Sequence, residues 1–383
     1  MIKGRIGIMP IGALSIAFAG YIQGIDTFIE SRKTHYSVGR KLKIYIDNEI
    51  KEITLTNENY TNDINSLVNG KIPEIILFSP PNHRLVSTLD EVIGMILKVI
   101  EIRHPDLGDD ISKDIPILVM LSNGIYYDDV MDYVTKNFES IDNNIREKIK
   151  GNIIRGTTLQ TGIRIESKDT DTIFKPGTKG SITIAGGSKE SKERIITLFK
   201  KYNYPVFEME GEEVRRIEFD KAIVNLSVNA VQLSLILDDD SNIHDFTMGD
   251  LVSDRKMQDM CKKIIRTMVS IGVKTGIYKT LVRIENNEDE QKQLIDKISY
   301  EAWRKIEEKS KTDNVHIVSS IASVIERYRR GKLENKPLRL PPLEENIINY
   351  LVELSTEYNL VEEKKIIEDL RNSILHVCGK VSC

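Results

Sequence analysis

Hydrophobic positions follow two different patterns along the chain. Through residues 1–188, short apolar runs alternate with segments of helical spacing. Alternation of this kind predicts a parallel, doubly wound α/β sheet. From residue 189 onward, apolar residues recur almost entirely at helical spacing, which predicts a mostly helical C-terminal domain over residues 189–383.

Four of the apolar runs have the length of buried strands, and each is followed by polar, Gly or Pro residues. Ligands of doubly wound sheets bind beyond the carboxyl ends of the strands, so these end segments are the first candidates for a binding site. A predicted hairpin over residues 41–56 and strand-rich sequence between 152 and 185 complete the domain. The end segments are Pro10–Gly12, Glu30–Lys33, Ser79–His83 and Ser122–Gly124.

The longest apolar helix is predicted over Val214–Leu237, where no Gly or Pro interrupts the pattern. Lys221, Asn225 and Asn229 recur on it at every fourth position, so they form one polar stripe that drifts about 40° per step. A buried polar group without a partner costs about 1–3 kcal/mol, so something polar must meet the stripe. Two explanations fit: a cleft that receives a polar ligand, or a structural network that reaches loop carbonyls.

Charge and cysteine content argue against several classes of protein. The formal net charge of −4 over 383 residues gives no general signal for binding nucleic acid or an anionic membrane. The three cysteines fit no Cys/His ligand pattern, so no metal site and no disulfide is expected, as in a cytoplasmic protein. No segment approaches the length of a membrane span, and Pro10 breaks the short apolar run at the N-terminus.

The turn after the first predicted strand resembles the dinucleotide-binding loop of a Rossmann domain. That loop has Gly at the first, third and sixth positions of its motif, and this chain has Pro10, Gly12 and Ser15 in the same register. Gly12 keeps the position at which backbone approaches a pyrophosphate, whereas Pro10 departs from the motif because its φ is fixed. The prediction is a Rossmann-like domain over residues 1–188, with cofactor contacts from Pro10, Ile11, Gly12 and Ala13.

The end of the second predicted strand bears on which nicotinamide dinucleotide is bound. Glu30 is in the position of the acidic residue that binds ribose hydroxyls in NAD enzymes. Arg32 and Lys33 are placed to bind a 2′-phosphate, as in NADP enzymes. Because two cations outweigh one acid that can face away, we predict NADP(H), with Ser31 and Arg32 among its contacts. An ordinary charged loop is the alternative.

Four motifs, in the same order along the chain, resemble those of the ketopantoate reductase family. Residues 219–229, FDKAIVNLSVN, look like the family's KxxxNxxxN helix, and residues 121–125, LSNGI, look like its LQNG turn. Residues 155–158, RGTT, are similar to its GxT segment, and residues 318–321, VSSI, are similar to its SSM motif. The family belongs to the dehydrogenases built from a Rossmann domain and a helical C-terminal domain.

This resemblance implies an NADPH-dependent reductase of a small 2-keto acid, which in the family is 2-dehydropantoate, reduced to pantoate for pantothenate biosynthesis. Lys221 would be the general acid that protonates the ketone oxygen as hydride reaches the carbon. Asn123 would orient both substrate and nicotinamide. The hydroxyl and carboxylate of the substrate would be bound by Asn225, Asn229, Ser319 and Ser320.

The resemblance also implies a glutamate on a later helix, because the family uses one from its TEID-like motif to bind the substrate hydroxyl. Aligning Glu344–Asn349 with that motif keeps the following helix in phase, which selects Glu344 as a catalytic residue. The alignment requires an insertion, which the loop Gly331–Pro342 fills. Glu334 within that loop is the competing assignment.

Three departures from the family leave other functions open. The glycine motif is altered at Pro10, Phe219 replaces a Trp, and the chain is longer than is usual. A second hypothesis is therefore a non-catalytic binding protein that kept the fold and lost the nicotinamide site. A third is a related dehydrogenase with a larger substrate. A homodimer formed through the apolar helices of the C-terminal domain is compatible with the sequence.

Overall fold

The computed structural model divides into two compact units, which are described separately. The sheet unit comprises Met1–Ser122 and Tyr126–Val214, and the helical unit comprises Asn123–Ile125 and Arg215–Cys383. Within these spans the structure describes residues 5–30, 36–46, 49–69, 72–103, 115–158, 160–166, 171–210, 213–235, 247–279, 287–312 and 340–382.

Twelve strands and five α-helices make up the described part of the sheet unit. The strands are β1 (Ile6–Met9), β2 (Ile25–Ile29), β3 (Lys41–Ile46), β4 (Glu49–Thr54), β5 (Tyr60–Thr61), β6 (Ile75–Phe78), β7 (Ile117–Met120), β8 (Ile153–Thr158), β9 (Gly162–Glu166), β10 (Asp171–Pro176), β11 (Ile182–Ala185) and β12 (Val206–Glu208). The helices are α1 (Ala13–Tyr21), α2 (Leu85–Arg103), α3 (Tyr127–Asn137), α4 (Asn143–Gly151) and α5 (Lys189–Lys201).

Eight of the strands form one sheet in the order β12-β11-β8-β7-β6-β1-β2-β5, in which only the β8–β11 pair is antiparallel. Strands β1, β6 and β7 are buried along their whole length, as is usual for parallel strands covered on both faces. The strand order reverses at β1, because β2 lies on one side of it and β6 on the other. Such a switch point is where doubly wound sheets bind ligands.

A second, four-stranded sheet of order β4-β3-β10-β9 packs against α1. Gly162 of β9 lies so close to this helix that a Cβ there would come within 2.5 Å of the Ala13 carbonyl oxygen. The Lys51 ammonium donates to the carbonyl of Ala19 over 2.7 Å, near the end of α1, where the helix dipole favours a cation. These contacts hold α1 along its length and fix the direction of its N-terminus, which follows β1.

The helical unit is built around its first helix. Its described helices are α6 (Val214–Ser234), α7 (Met248–Ser253), α8 (Arg255–Lys274), α9 (Glu288–Thr312), α10 (Pro342–Glu357) and α11 (Val361–Ser382). Apolar residues on most sides of α6 are fully buried in one core shared with the later helices. Phe219 of α6 packs edge-on against Tyr278, with ring centroids 6.1 Å apart. None of the described helices is both long and apolar enough to cross a membrane.

The predicted fold class, a Rossmann-like domain followed by a helical domain, is confirmed, whereas the division into compact units differs from the boundary predicted at residue 188. The compact units divide after Val214. Helix α5 and strand β12 belong to the sheet unit because β12 pairs in parallel with β11, with Val206 opposite Ile182. The helix predicted over Val214–Leu237 is observed as α6 and ends at Ser234. The SSM-like motif at residues 318–321 lies outside the described residues.

Gly272→Ala tests how tightly α8 packs on α6. A Cβ at Gly272 would lie 2.6 Å from Tyr278 Cε2 and 2.8 Å from Phe219 Cε1, which are overlapping distances. Although Ala favours a helix over Gly by about 1 kcal/mol, we expect overpacking to lower the free energy of unfolding by about 1–3 kcal/mol. Urea unfolding followed by circular dichroism measures the change.

The matched control is Gly94→Ala in α2, because no atom of the residues that the structure describes lies within 4 Å of a Cβ built at Gly94. Its unfolding midpoint should stay the same or rise, since only the helix propensity changes. A Gly272→Ala protein as stable as the Gly94→Ala protein would contradict the close contact of α8 with Phe219 and Tyr278.

Candidate functional site

One face of α6 carries the predicted polar stripe, and the C-terminal part of the stripe is paired with α10. Lys221 and Asn225 are partly buried, whereas Asn229 is 3% exposed. The Asn229 Nδ2 donates to Glu344 Oε1 over 3.1 Å. Glu344, which is 2% exposed, lies in the first turn of α10, where the helix dipole favours a carboxylate. The structure thus brings together Asn229 and Glu344, which are 115 residues apart in the chain.

The amide of Asn225 occupies the middle of the stripe, one helical turn from Lys221. Its Nδ2 atom is buried and has no hydrogen-bond partner among the described residues. An unpaired buried donor costs about 1–3 kcal/mol, and a carbonyl or carboxylate oxygen from a ligand would remove that cost. This face of α6 is therefore chemically suited to a ligand that presents acceptor oxygens.

The polar stripe is longer than the sequence analysis predicted. Glu218 lies three residues before Lys221 and Gln232 lies three residues after Asn229, and both are buried. The Gln232 Nε2 donates to the carbonyl of Thr247 over 3.4 Å, while its Oε1 has no partner among the described residues. Residues three and four apart share a helix face, so a search at both spacings rather than at every fourth position would have found these two.

The turn that contains Asn123 is anchored to α10. Asn123 is exposed, and Gly124 has a φ of 122°, which favours glycine. Ile125 donates its backbone N–H to Asn346 Oδ1 over 2.9 Å, and its carbonyl accepts from Asn346 Nδ2 over 3.2 Å. The Ile125 side chain is part of the core of the helical unit. Asn123 is thus held in the same compact unit as α6, and Asn346 is a site residue that the sequence analysis missed.

A buried arginine organises the strand end that precedes this turn. Arg155 of β8 donates to the carbonyl of Met120 over 2.7 Å and to the carbonyl of Ser122 over 2.9 Å. Its guanidinium also lies 4.6 Å from the centroid of the Tyr126 ring, whose hydroxyl donates to the same Ser122 carbonyl. The GxT-like segment predicted over 155–158 therefore supports the backbone that leads into the Asn123 turn.

The acidic residue next to Lys221, Asp220, is partly buried and bonded to a tyrosine. The Tyr278 hydroxyl donates to Asp220 Oδ1 over 2.8 Å. Burial raises the pKa of Asp220 above its usual range, against the lowering effects of the Tyr278 hydrogen bond and of the nearby charges of Lys305 and Arg216. Burial, reinforced by the charge of Asp220, raises the pKa of Tyr278 as well.

Among the described residues, no group of three or more His, Cys, Asp or Glu side chains is placed to hold a metal ion.

The N-terminus of α1 has the features of a phosphate-binding site. Gly12 is the residue before the first helical turn, and it supplies no side chain to cap the helix. No described residue has an atom within 4 Å of a Cβ built at Gly12, so within the described part of the chain the space beside the first backbone N–H groups is open. Anions bind well at such N-termini. The predicted contact residues Pro10, Ile11, Gly12 and Ala13 surround this point, so they fit a dinucleotide pyrophosphate.

Hydrogen bonds fix the altered turn between β1 and α1. The Ser15 hydroxyl donates to the carbonyl of Pro10 over 2.7 Å and lies 2.6 Å from the Ser79 hydroxyl. Ser79 directly follows β6, the neighbour of β1 at the switch point of the sheet. The position that is Gly in the Rossmann motif and Ser15 here therefore links both sides of the switch point.

Of the remaining predicted residues, the structure describes only Glu30. Glu30, directly after β2, is 6% exposed, and its backbone N–H donates to the carbonyl of Thr61. The other predicted cofactor and substrate residues, together with the competing glutamate, lie outside the described residues: Ser31, Arg32, Lys33, Ser319, Ser320 and Glu334.

Comparison with known proteins relates the chain to a group of dehydrogenases by fold. No protein-family model matches it, and no curated protein matches it in sequence. D-Mandelate dehydrogenase, solved as a ternary structure with NADH and anilino(oxo)acetate, is 14% identical with a TM-score of 0.64. That match covers 99% of this chain and 100% of the other.

Ketopantoate reductases match over the same extent. 2-Dehydropantoate 2-reductase from Methylococcus capsulatus is 13% identical with a TM-score of 0.58 over 97% of each chain. Dimeric ketopantoate reductase from Staphylococcus aureus is 12% identical with a TM-score of 0.53, over 97% of this chain and 99% of the other. At this level of identity the similarity concerns the fold, and for the fold the resemblance inferred from the four sequence motifs is confirmed.

Asp220→Asn should change how stability depends on pH. Because burial raises the folded pKa of Asp220 above its unfolded pKa, its ionised form disfavours folding, and stability should fall as pH rises through the folded pKa. An amide at this position cannot ionise, while its oxygen can still accept from Tyr278. We therefore expect a smaller fall in the urea midpoint of Asp220→Asn between about pH 4 and pH 8.

Tyr278→Phe provides the opposite test. Removing its hydroxyl takes away a hydrogen bond that lowers the pKa of Asp220, so the pKa should rise further and the loss of stability with pH should become larger. Superimposable pH profiles for the natural protein and Asp220→Asn would show that folding does not shift the pKa of this carboxyl.

Proposed function

We propose that this protein is a nicotinamide-dinucleotide-dependent reductase of small 2-keto acids. The observation that carries the proposal is the composition of one face of α6. There a cation at Lys221, an unmet donor at Asn225 and the buried Asn229–Glu344 pair follow one another along the helix. Together they offer a proton, a donor for a carboxylate or carbonyl oxygen, and a carboxylate that can accept from a hydroxyl.

Substrate binding is assigned to the amides and the glutamate. Asn225 Nδ2 would donate to an oxygen of the 2-keto acid, which would satisfy its hydrogen-bonding capacity. The carboxylate of Glu344, which accepts from Asn229, would also accept from a substrate hydroxyl. Ser319 and Ser320 remain predicted anchors for the substrate carboxylate.

Proton transfer is assigned to Lys221. A bound nicotinamide dinucleotide supplies the hydride that reduces the ketone carbon. Lys221 Nζ would donate a hydrogen bond to the ketone oxygen and release its proton to that oxygen as negative charge develops there. The neutral amine would then recover a proton from solvent. In the reverse direction the same amine would act as the general base that deprotonates the alcohol.

Cofactor binding is assigned to the start of α1, where the uncapped backbone N–H groups after Gly12 would hold the pyrophosphate. For the adenosine end we propose NADPH. Glu30 is buried, and an acidic residue that binds ribose must be open to the cofactor, which favours Arg32 and Lys33 as ligands of a 2′-phosphate. Separate titrations of NADPH and NADH, followed by protein fluorescence, test this preference.

The substrate we propose first is 2-dehydropantoate, on the strength of the four sequence motifs and the ketopantoate reductase fold. A second candidate is a larger 2-keto acid, because D-mandelate dehydrogenase, crystallised with NADH and anilino(oxo)acetate, has the same fold over the full chain. Turnover of 2-dehydropantoate and of benzoylformate, the keto acid of mandelate, should be compared.

A homodimer through the helical unit is also proposed, since one of the ketopantoate reductases of this fold is dimeric.

Lys221→Ala should lower kcat by about 10²–10⁴-fold, because it removes the proton donor. The Kd for NADPH should change little, since the proposed cofactor contacts lie on α1. Stopped-flow oxidation of NADPH with each keto acid measures kcat, and fluorescence titration measures the Kd. Lys256→Ala removes an exposed lysine of α8 and is the matched control. Turnover of Lys221→Ala comparable to that of the control would eliminate the proposed role.

Gly12→Asp should affect stability and cofactor binding in opposite directions. No described residue blocks a side chain at Gly12, and Asp is a favoured residue before a helix, so the protein without cofactor should gain a few tenths of a kcal/mol. The same carboxylate would occupy and repel the pyrophosphate site, so the Kd for NADPH should rise at least tenfold. Thermal unfolding with and without NADPH measures both effects, and unchanged NADPH stabilisation would place the cofactor elsewhere.

A further inference from the structure

The carboxamide of Asn346 makes a two-point contact with the backbone of one residue. Its Oδ1 accepts from the N–H of Ile125 over 2.9 Å, and its Nδ2 donates to the carbonyl of the same residue over 3.2 Å. The two residues are 221 positions apart in the chain. Only an amide side chain supplies both a donor and an acceptor in this arrangement, because a carboxylate lacks the donor.

This contact ties a short turn to α10, whereas Arg155 and Tyr126 hold the Ser122 carbonyl that precedes the turn. Asn123 is exposed and Gly124 has a positive φ, so neither residue anchors the turn by packing its own side chain. Ile125 is buried, and both of its backbone groups would lose their partner if Asn346 were truncated. The position of Asn123 therefore depends on Asn346.

Asn346 also lies two residues after Glu344, in the first turns of α10. Two residues correspond to a rotation of about 200° on a helix, so the two side chains leave α10 on nearly opposite sides. Glu344 contacts Asn229 of α6, while Asn346 contacts the backbone of the Asn123 turn. One rigid helix end thus holds two groups that the proposed reaction requires.

We propose that Asn346 is a positioning residue that fixes the Asn123 turn against α10, so that Asn123 and Glu344 keep a constant spacing during turnover. This inference rests on the proposed function, in which Asn123 orients substrate and nicotinamide and Glu344 binds the substrate. Catalysis is sensitive to such spacing, because a displacement of about 1 Å can cost about 10²-fold in rate. Asn346 itself touches neither the substrate nor the cofactor.

The test is a double-mutant cycle between Asn346→Ala and Asn123→Ala. Asn346→Ala alone should lower kcat for the better keto acid by about 10–100-fold, while the Kd for NADPH stays within about twofold. In the Asn123→Ala background the same substitution should cost less than about threefold, because the residue it positions is already gone. Full additivity of the two losses would overturn the proposal, since a merely structural residue acts independently of Asn123.

Two further variants separate positioning from damage to the helix. Asn349→Ala removes an exposed amide from the same helix and should leave kcat unchanged. Asn346→Asp keeps the acceptor for the Ile125 N–H but loses the donor to its carbonyl, so its kcat should fall between those of the natural protein and Asn346→Ala. An Asn346→Asp protein with full activity would contradict the need for both hydrogen bonds.

Amide hydrogen exchange gives a readout that does not depend on activity. The Ile125 N–H should exchange about tenfold faster or more in Asn346→Ala, which is the equivalent of one lost hydrogen bond. Exchange in the core of α6 should not change. If the natural protein reduces no keto acid, the proposed function fails, whereas faster exchange at Ile125 would still support the anchoring contact. Unchanged exchange at Ile125 overturns the inference whatever the activity.

Discussion

The structure of the helical unit depends on one constraint: polar groups on a helix inside an apolar core must be matched by other polar groups. Helix α6 is buried on most sides, yet one of its faces carries amides and charges. The buried hydrogen bond between Asn229 and Glu344 satisfies part of that face and fixes which turn of α10 lies beside it. Because both groups are buried, any other register would leave an amide and a carboxylate without partners.

The same constraint indicates candidate ligand contacts, namely polar groups that no described residue satisfies. Asn225 keeps a buried donor without a partner among the described residues, and α1 begins at Gly12 without a side-chain cap. Several comparable groups are satisfied within the protein: Ser188 caps α5, Thr247 and Asp250 form a capping box on α7, and Arg155 donates to several carbonyls. Others, such as Gln232 Oε1 on the same helix as Asn225, are not satisfied by any described residue. In the proposed function, a bound ligand would accept hydrogen bonds from Asn225 Nδ2 and from the first backbone N–H groups of α1.

The sequence predicted the elements whose structure depends on nearby residues in the chain. The buried strands, helix α6 and its stripe follow from periodicity, and the turn at Gly12 follows from residue type. Strand β12 could not be predicted, because it has three residues, its Phe207 is 58% exposed, and it exists only through pairing with β11. The contact of Asn346 with Ile125 and that of Asp220 with Tyr278 join distant segments, so no spacing along the chain reveals them.

The altered turn after β1 gives no physical reason to discard a dinucleotide site. A glycine at the first motif position serves to make the turn tight, and here the Ser15 hydroxyl holds the turn by donating to the carbonyl of Pro10. What a pyrophosphate needs is access to the first N–H groups of α1, and none of the described residues fills the space at Gly12. Pro10 therefore changes how the turn is stabilised without closing the surface that a phosphate would contact.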